Sequence, residues 1–212
     1  MAATLSVTLR RERSILRWVG WLGWAAALLP LGYWLYCGIT EPVFELRESV
    51  VIRTGRWALR LLLLTLLVAP LAHLLQRQWL RQFRRTLGLL TFCFATAHAL
   101  FYTWSAYLWP HHLYLLLTRP YLLCGLVALL LLLPLALTSS DRMTRRLGPG
   151  RWRRIHYCVY PALLLVLAHE LLYGHSTYRE IGVHIALASV VLTLRLRHAV
   201  RRRLVPPSWQ IF

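Results

Sequence analysis

The stretch PYLLCGLVALLLLLPLALTS, residues 120–139, runs for twenty residues without a charge, and the next fifteen, SDRMTRRLGPGRWRR, carry six arginines and one aspartate. About 20 apolar residues in a helix cover the roughly 30 Å hydrocarbon core of a bilayer. An uncharged run of that length closed by a dense basic segment reads as a membrane-spanning helix with a cytoplasmic loop behind it.

Working outward, similar runs occur at Trp18 to Cys37, Leu61 to Leu75, Leu87 to Trp109, Ile155 to Tyr173 and Ile181 to Leu194. The second and sixth reach spanning length only if Arg60 and Arg195 snorkel outward. The expectation is an all-α, polytopic bundle of about six transmembrane helices forming one domain over residues 1–212. A composition of 58% hydrophobic and 15% charged residues is richer in apolar side chains than a soluble domain of this size needs.

The basic residues number 25, all of them arginine, against seven acids, for a net charge of +18. Such an excess suits either a nucleic-acid surface or the positive-inside bias of membrane loops. Position decides between them. The segments up to Arg17, from Gln76 to Thr86, from Ser140 to Arg154 and from Arg195 onward together carry +17, whereas the three alternate loops together carry +1. A nucleic-acid footprint does not alternate with loop parity, so nucleic acid is excluded as a partner. Both termini are expected in the cytoplasm, with an N-terminal segment 1–17 and a tail 197–212. The first run is too long for the apolar core of a secretory signal and lacks a small-residue cleavage site, so it is read as a retained span.

Cys37, Cys93, Cys124 and Cys158 stand singly, with no C-x-x-C pair and no C-x-x-C-H haem attachment sequence. Any haem is therefore of the non-covalent b type. No G-x-G-x-x-G or Walker sequence is present, and no repeat at a fixed period is evident. Pro30, Pro70, Pro134 and Pro161 fall inside spans, where neighbouring helices can satisfy the freed carbonyls. Trp104, Tyr107 and Trp109 read as interfacial anchors.

Ionisable groups inside a bilayer are costly, so each is a candidate for function. His98 lies mid-span in the third run, His156 and His169 in the fifth with Glu170, His184 in the sixth, and His73 near the inner end of the second; His111, His112, His175 and His198 fall in loops or at ends. The third and fifth runs are parallel in this topology. His98 is thirteen residues beyond Arg85 and His169 fifteen beyond Arg154, which places them about 20 and 22 Å from the arginine rows. Two neutral imidazoles at one depth suit the axial positions of a haem iron. Ala95, Ala99, Ala162 and Ala168 leave room for a flat porphyrin. His156, thirteen residues before His169, is a candidate ligand of a second haem on the cytoplasmic side, with His73 as its nearest partner by depth. His184 reads as an interhelical hydrogen-bonding group, and Glu170 as a residue near the outer interface or, alternatively, a proton acceptor. Arg84, Arg85, Arg153 and Arg154 on one side and Arg119 and Arg179 on the other could pair with haem propionates or lipid phosphates.

The stretches Arg84-Arg85-Thr86-Leu87-Gly88 running on to Ala95-Thr96-Ala97-His98, Thr118-Arg119-Pro120-Tyr121, and Arg146-Leu147-Gly148 followed by Trp152 and Ile155-His156-Tyr157 resemble the MsrQ family. These are haem-binding membrane subunits of the bacterial periplasmic methionine sulfoxide reductase system, within the superfamily of transmembrane ferric reductases and NADPH oxidases. The likeness covers about Gly55 to Leu196. It implies a multi-pass protein of the bacterial inner membrane that carries haem b and also binds FMN. Such a protein passes electrons from the quinone pool to a periplasmic molybdopterin-containing reductase subunit, which repairs oxidised methionine. The family's histidines map onto His98, His156 and His169. The superfamily pattern of two histidines on each of two helices is incomplete on the third span, which leaves one haem well supplied with ligands and a second with His156 alone. The chain is then an electron-transfer subunit with no catalytic residue of its own. A ferric-chelate reductase is the nearest alternative, and a transporter or scaffold with structural histidines the alternative from another class.

Overall fold

A computed structural model describes residues 44–105, 118–174 and 177–204, with short pieces of 24–40 and of 114–116. Six helices make up most of it: α1 (Phe44–Leu74), α2 (Phe83–Ser105), α3 (Pro120–Leu137), α4 (Asp141–His156), α5 (Val159–Tyr173) and α6 (Tyr178–Leu204), with a 3-10 turn at Gln78–Gln82 before α2. Among the described residues there is no strand.

Among the described residues, four stretches are long and apolar enough to cross a bilayer: Ser49–Leu74, Gln78–Thr103, Pro120–Leu137 and Asp141–Tyr173. Three of them enclose the second, third and fifth expected runs or most of them, and the fourth matches the opening stretch. The second starts earlier than expected, because α1 continues back through Arg60, Arg56 and Arg53 into what the charge count takes as a loop. The sixth expected run lies within α6, which is not among these four. The first run, Trp18 to Cys37, lies largely outside the described residues, as do Tyr107, Trp109, His111, His112 and His175.

The basic segment behind the opening stretch is itself helical. Ser140 caps α4 by accepting the Met143 amide at 3.2 Å, and Asp141 adds an acid to the first turn. Gly148, at φ +70°, interrupts α4, a conformation that a side chain would strain. Trp152 then donates its indole N–H to the Thr138 carbonyl at 3.1 Å, tying α4 to the end of α3.

Two helix pairs form the bundle, α1 against α2 and α3 against α5, with α6 closing against α1 and α5. Leu59, Leu62, Leu63 and Leu66 of α1 meet Leu132 of α3, Val159, Ala162 and Leu163 of α5, and Ala188 and Val191 of α6 in the central core. Large apolar side chains such as Leu130, Leu164 and Val190 face outward, where lipid rather than water suits them. Pro70 cannot donate to the Leu66 carbonyl, and that carbonyl takes the Arg195 Nε–H instead, at 2.8 Å. The charge at the end of the sixth run thus repairs a proline gap in α1, as expected of a neighbouring helix.

Candidate functional site

His98 projects from α2 toward α1, and His169 from α5 toward α3. Each ring rests against the backbone of the facing helix at a glycine. A Cβ at Gly55 would stand 3.0 Å from His98 Nδ1 and Cε1, and one at Gly125 would stand 2.9 Å from His169 Nδ1. Carbon atoms do not pack that closely to a fixed ring, so glycine is required at both positions for the imidazoles to sit where they do.

The hydrogen bonds repeat the pattern. His98 Nδ1 donates to the Val51 carbonyl at 2.8 Å and His169 Nδ1 to the Tyr121 carbonyl at 2.7 Å. A backbone carbonyl only accepts, so it fixes the tautomer with the proton on Nδ1 and leaves the Nε2 lone pair available. The two ring centroids lie 6.0 Å apart with planes at 84°. Both rings line one cavity of about 330 Å³, walled mainly by apolar side chains. Neutral imidazole nitrogens of this kind can bind a metal ion.

The site is built from two copies of one design. Val51, Gly55, Ala58 and Leu59 on α1 are matched seventy residues later by Tyr121, Gly125, Ala128 and Leu129 on α3; Ala95, His98 and Tyr102 on α2 are matched seventy-one residues later by Val166, His169 and Tyr173 on α5. All of these line the cavity. The sequence shows no fixed period because helix-facing positions alone repeat, and the second pair carries one extra residue between its helices.

Other expected residues fall differently. Ala95 and Ala99 line the cavity, but Ala162 is fully buried in the central core and the space comes from Gly55, Gly125, Ala58 and Ala128 instead. Glu170 points into the bundle. Its side chain is only 11% exposed, lines the cavity, and pairs with His184 Nδ1 at 2.9 Å. His184 is thus the interhelical group its position suggests. His156 stacks on Trp152 at 3.9 Å, and its Nδ1 lies 3.1 Å from the Trp152 carbonyl of its own helix; the matching position seventy-one residues earlier is Arg85, which pairs with Asp141 at 2.9 Å. His73 is exposed at the end of α1. None of the six bordering arginines lines the cavity. Arg56 does, and sequence reading missed it by placing it in a loop.

Toward one end of the cavity the aromatic residues gather. Tyr121 lies 5.8 Å from the His169 ring and 5.4 Å from Tyr173, and Tyr102 hydrogen-bonds Tyr121. Among the described residues no cluster of three or more histidine, cysteine or acidic side chains is placed to hold a metal.

The family of ferric reductase like transmembrane components matches residues 54–167, the segment that contains Gly55, His98, Gly125 and His156. The chain is 36% identical over 207 residues to the protein-methionine-sulfoxide reductase heme-binding subunit MsrQ of Xanthomonas axonopodis pv. citri, covering 92% of this chain and 87% of that one. It is 37% identical over 175 residues to the MsrQ of Xanthomonas campestris pv. campestris strain B100 (79% and 78% covered) and 36% identical over 180 residues to that of Ralstonia nicotianae (82% of each). No solved structure matches significantly. With a cavity built around two glycine-seated histidines and relatives alike over most of its length, the chain belongs to the MsrQ family of ferric-reductase-like transmembrane proteins.

Proposed function

We propose that the chain is the haem b-carrying electron-transfer subunit of a periplasmic methionine sulfoxide reductase system, with His98 and His169 as the axial ligands of one iron. The observation that carries this reading is the spacing of the rings. A metal bonded to two imidazoles at about 2 Å each separates their centres by roughly 6 Å, and the centroids here lie 6.0 Å apart with each Nδ1 already engaged by a carbonyl. Two protein ligands suit a macrocycle that fills the iron's remaining positions, and the apolar walls suit its faces. When bound, haem supplies one-electron chemistry. The chain's own part is to hold both imidazoles in one tautomer, exclude water from the cavity and keep the ring planes crossed.

The wider reading is a multi-pass protein of the bacterial inner membrane with six crossings and both termini cytoplasmic, supported by the loop charge asymmetry. Electrons pass from the quinone pool to a molybdopterin-containing subunit docked on the periplasmic side. The relatives' name as a heme-binding subunit of the reductase supports the haem and the partner. A second haem at His156 has weaker support, since Arg85 stands where the matching imidazole belongs. No residues are assigned to FMN.

A reduced-minus-oxidised visible spectrum of membranes holding the full chain tests this. The parent is expected to show a b-type band, and His98→Ala and His169→Ala each to lose it. A parent without the band would overturn the haem reading, and retention in either variant would overturn the pairing. The family's description as ferric reductase like favours one second reading, direct reduction of chelated iron; chelate reduction by the purified chain without a partner would support it.

A further inference from the structure

The two halves present matched positions to the cavity, and at two of them the charge differs. Glu170 stands after His169 where Ala99 follows His98, and its carboxylate is engaged by His184. Arg56 stands after Gly55 where Leu126 follows Gly125. Arg56 is not fully engaged. One terminal nitrogen donates to Glu180 at 2.8 Å, yet its Nε is buried without a hydrogen-bond partner, and the residue lines the cavity.

A guanidinium offers its donors in a flat fork that matches a carboxylate edge. Glu180, in the first turn of α6, also accepts the Thr177 amide at 3.4 Å, so the acid is itself anchored. The arginine is therefore held at one corner, with a donor left over beside the site. A planar occupant related to itself by the repeated pattern of the walls could enter in either sense, and the spare Arg56 donor on one side distinguishes them.

We propose that Arg56 binds a carboxylate of the cavity's occupant, a haem propionate, and sets which way that polar edge points, while Glu180 positions the guanidinium. This rests on the haem reading above. An interhelical strap between α1 and α6 with no ligand role is the competing account, and the two differ in what Glu180 does. As a strap, either partner's loss is equivalent. As a carboxylate site, loss of Arg56 removes the recognition, whereas loss of Glu180 frees the cation for the ligand.

The test titrates membranes holding the full chain, produced under haem limitation, with iron protoporphyrin IX and with its dimethyl ester, whose carboxylates are blocked. The parent is expected to prefer the diacid by about tenfold, the scale of one charge-assisted hydrogen bond, and Arg56→Gln to reduce the preference to within about twofold. Arg56→Lys should keep part of it, and Glu180→Gln should show a preference at least as large as the parent's. An undiminished preference in Arg56→Gln, or a fall in Glu180→Gln, would overturn the proposal. The Glu180→Gln result decides even where Arg56→Gln fails to accumulate. If neither porphyrin gives the parent a low-spin b-type spectrum, it is the haem reading that fails.

Discussion

The α1–α2 hairpin and the α3–α5 pair solve the same problem with the same parts, a carbonyl four residues before a glycine and a histidine seated on both. They differ in what stands beside those parts. The first pair has Arg56 and Ala99 next to its glycine and histidine, and the second has Leu126 and Glu170. Thirteen residues below the histidines the first has Arg85, salt-bridged and exposed, and the second has His156, stacked on Trp152. The matched parts make the middle of the site symmetric, and the unmatched neighbours make its margins asymmetric in charge. The upper level carries two imidazoles and the lower level one.

The largest effects should come from filling the two glycine seats. Gly125→Val and Gly55→Val are each expected to abolish the b-type band, because the added carbons occupy the volume of the imidazole rather than of a movable side chain. Equal loss in both would sharpen the equivalence of the halves. Retention in one would break it.

Next in size is the His184–Glu170 pair, which exists on one side alone. Both side chains are nearly buried, at 6% and 11% exposure, and His184→Ala leaves a buried carboxylate without its partner, at a cost of about 2 kcal/mol. A lower thermal midpoint in detergent is the expected result. An unchanged midpoint would show that the second half does not depend on α6 for this group.

Arg195→Met removes the donor that satisfies Leu66 across the proline gap, for about 1 kcal/mol. Combining it with Pro70→Ala, which restores an amide donor within α1, should recover part of the loss in the same thermal measurement. Additive losses would contradict the role given to Arg195. The smallest effect is expected from His156→Ala, which should leave most of the visible band in place; loss of about half would argue that the lower level holds a haem of its own.

Much of this was legible in the sequence, for identifiable reasons. The depth match of His98 and His169 follows from residue counts because helical rise is constant, and the structure brings the two rings together. The glycine seats were not legible, since nothing in Gly55 or Gly125 marks them as facing a ring contributed from more than forty residues away. Arg56 was misplaced because charge counting treats an arginine as the end of a span, whereas Glu180, distant in sequence, neutralises it within the bundle. The partner of Glu170 on α6, His184, was equally invisible. Spans survive charges whose partners lie on other helices, and single-sequence counting has no access to those partners.

The central claim is that each half contributes one imidazole to a single iron with the ring planes crossed. Low-temperature electron paramagnetic resonance of the oxidised full chain reads this directly, because the orientation of two axial imidazoles governs the anisotropy of a low-spin ferric haem. The crossed planes at 84° predict a strongly axial low-spin signal with a large maximum g value. A rhombic low-spin signal, characteristic of parallel rings, or a dominant high-spin signal would contradict the account.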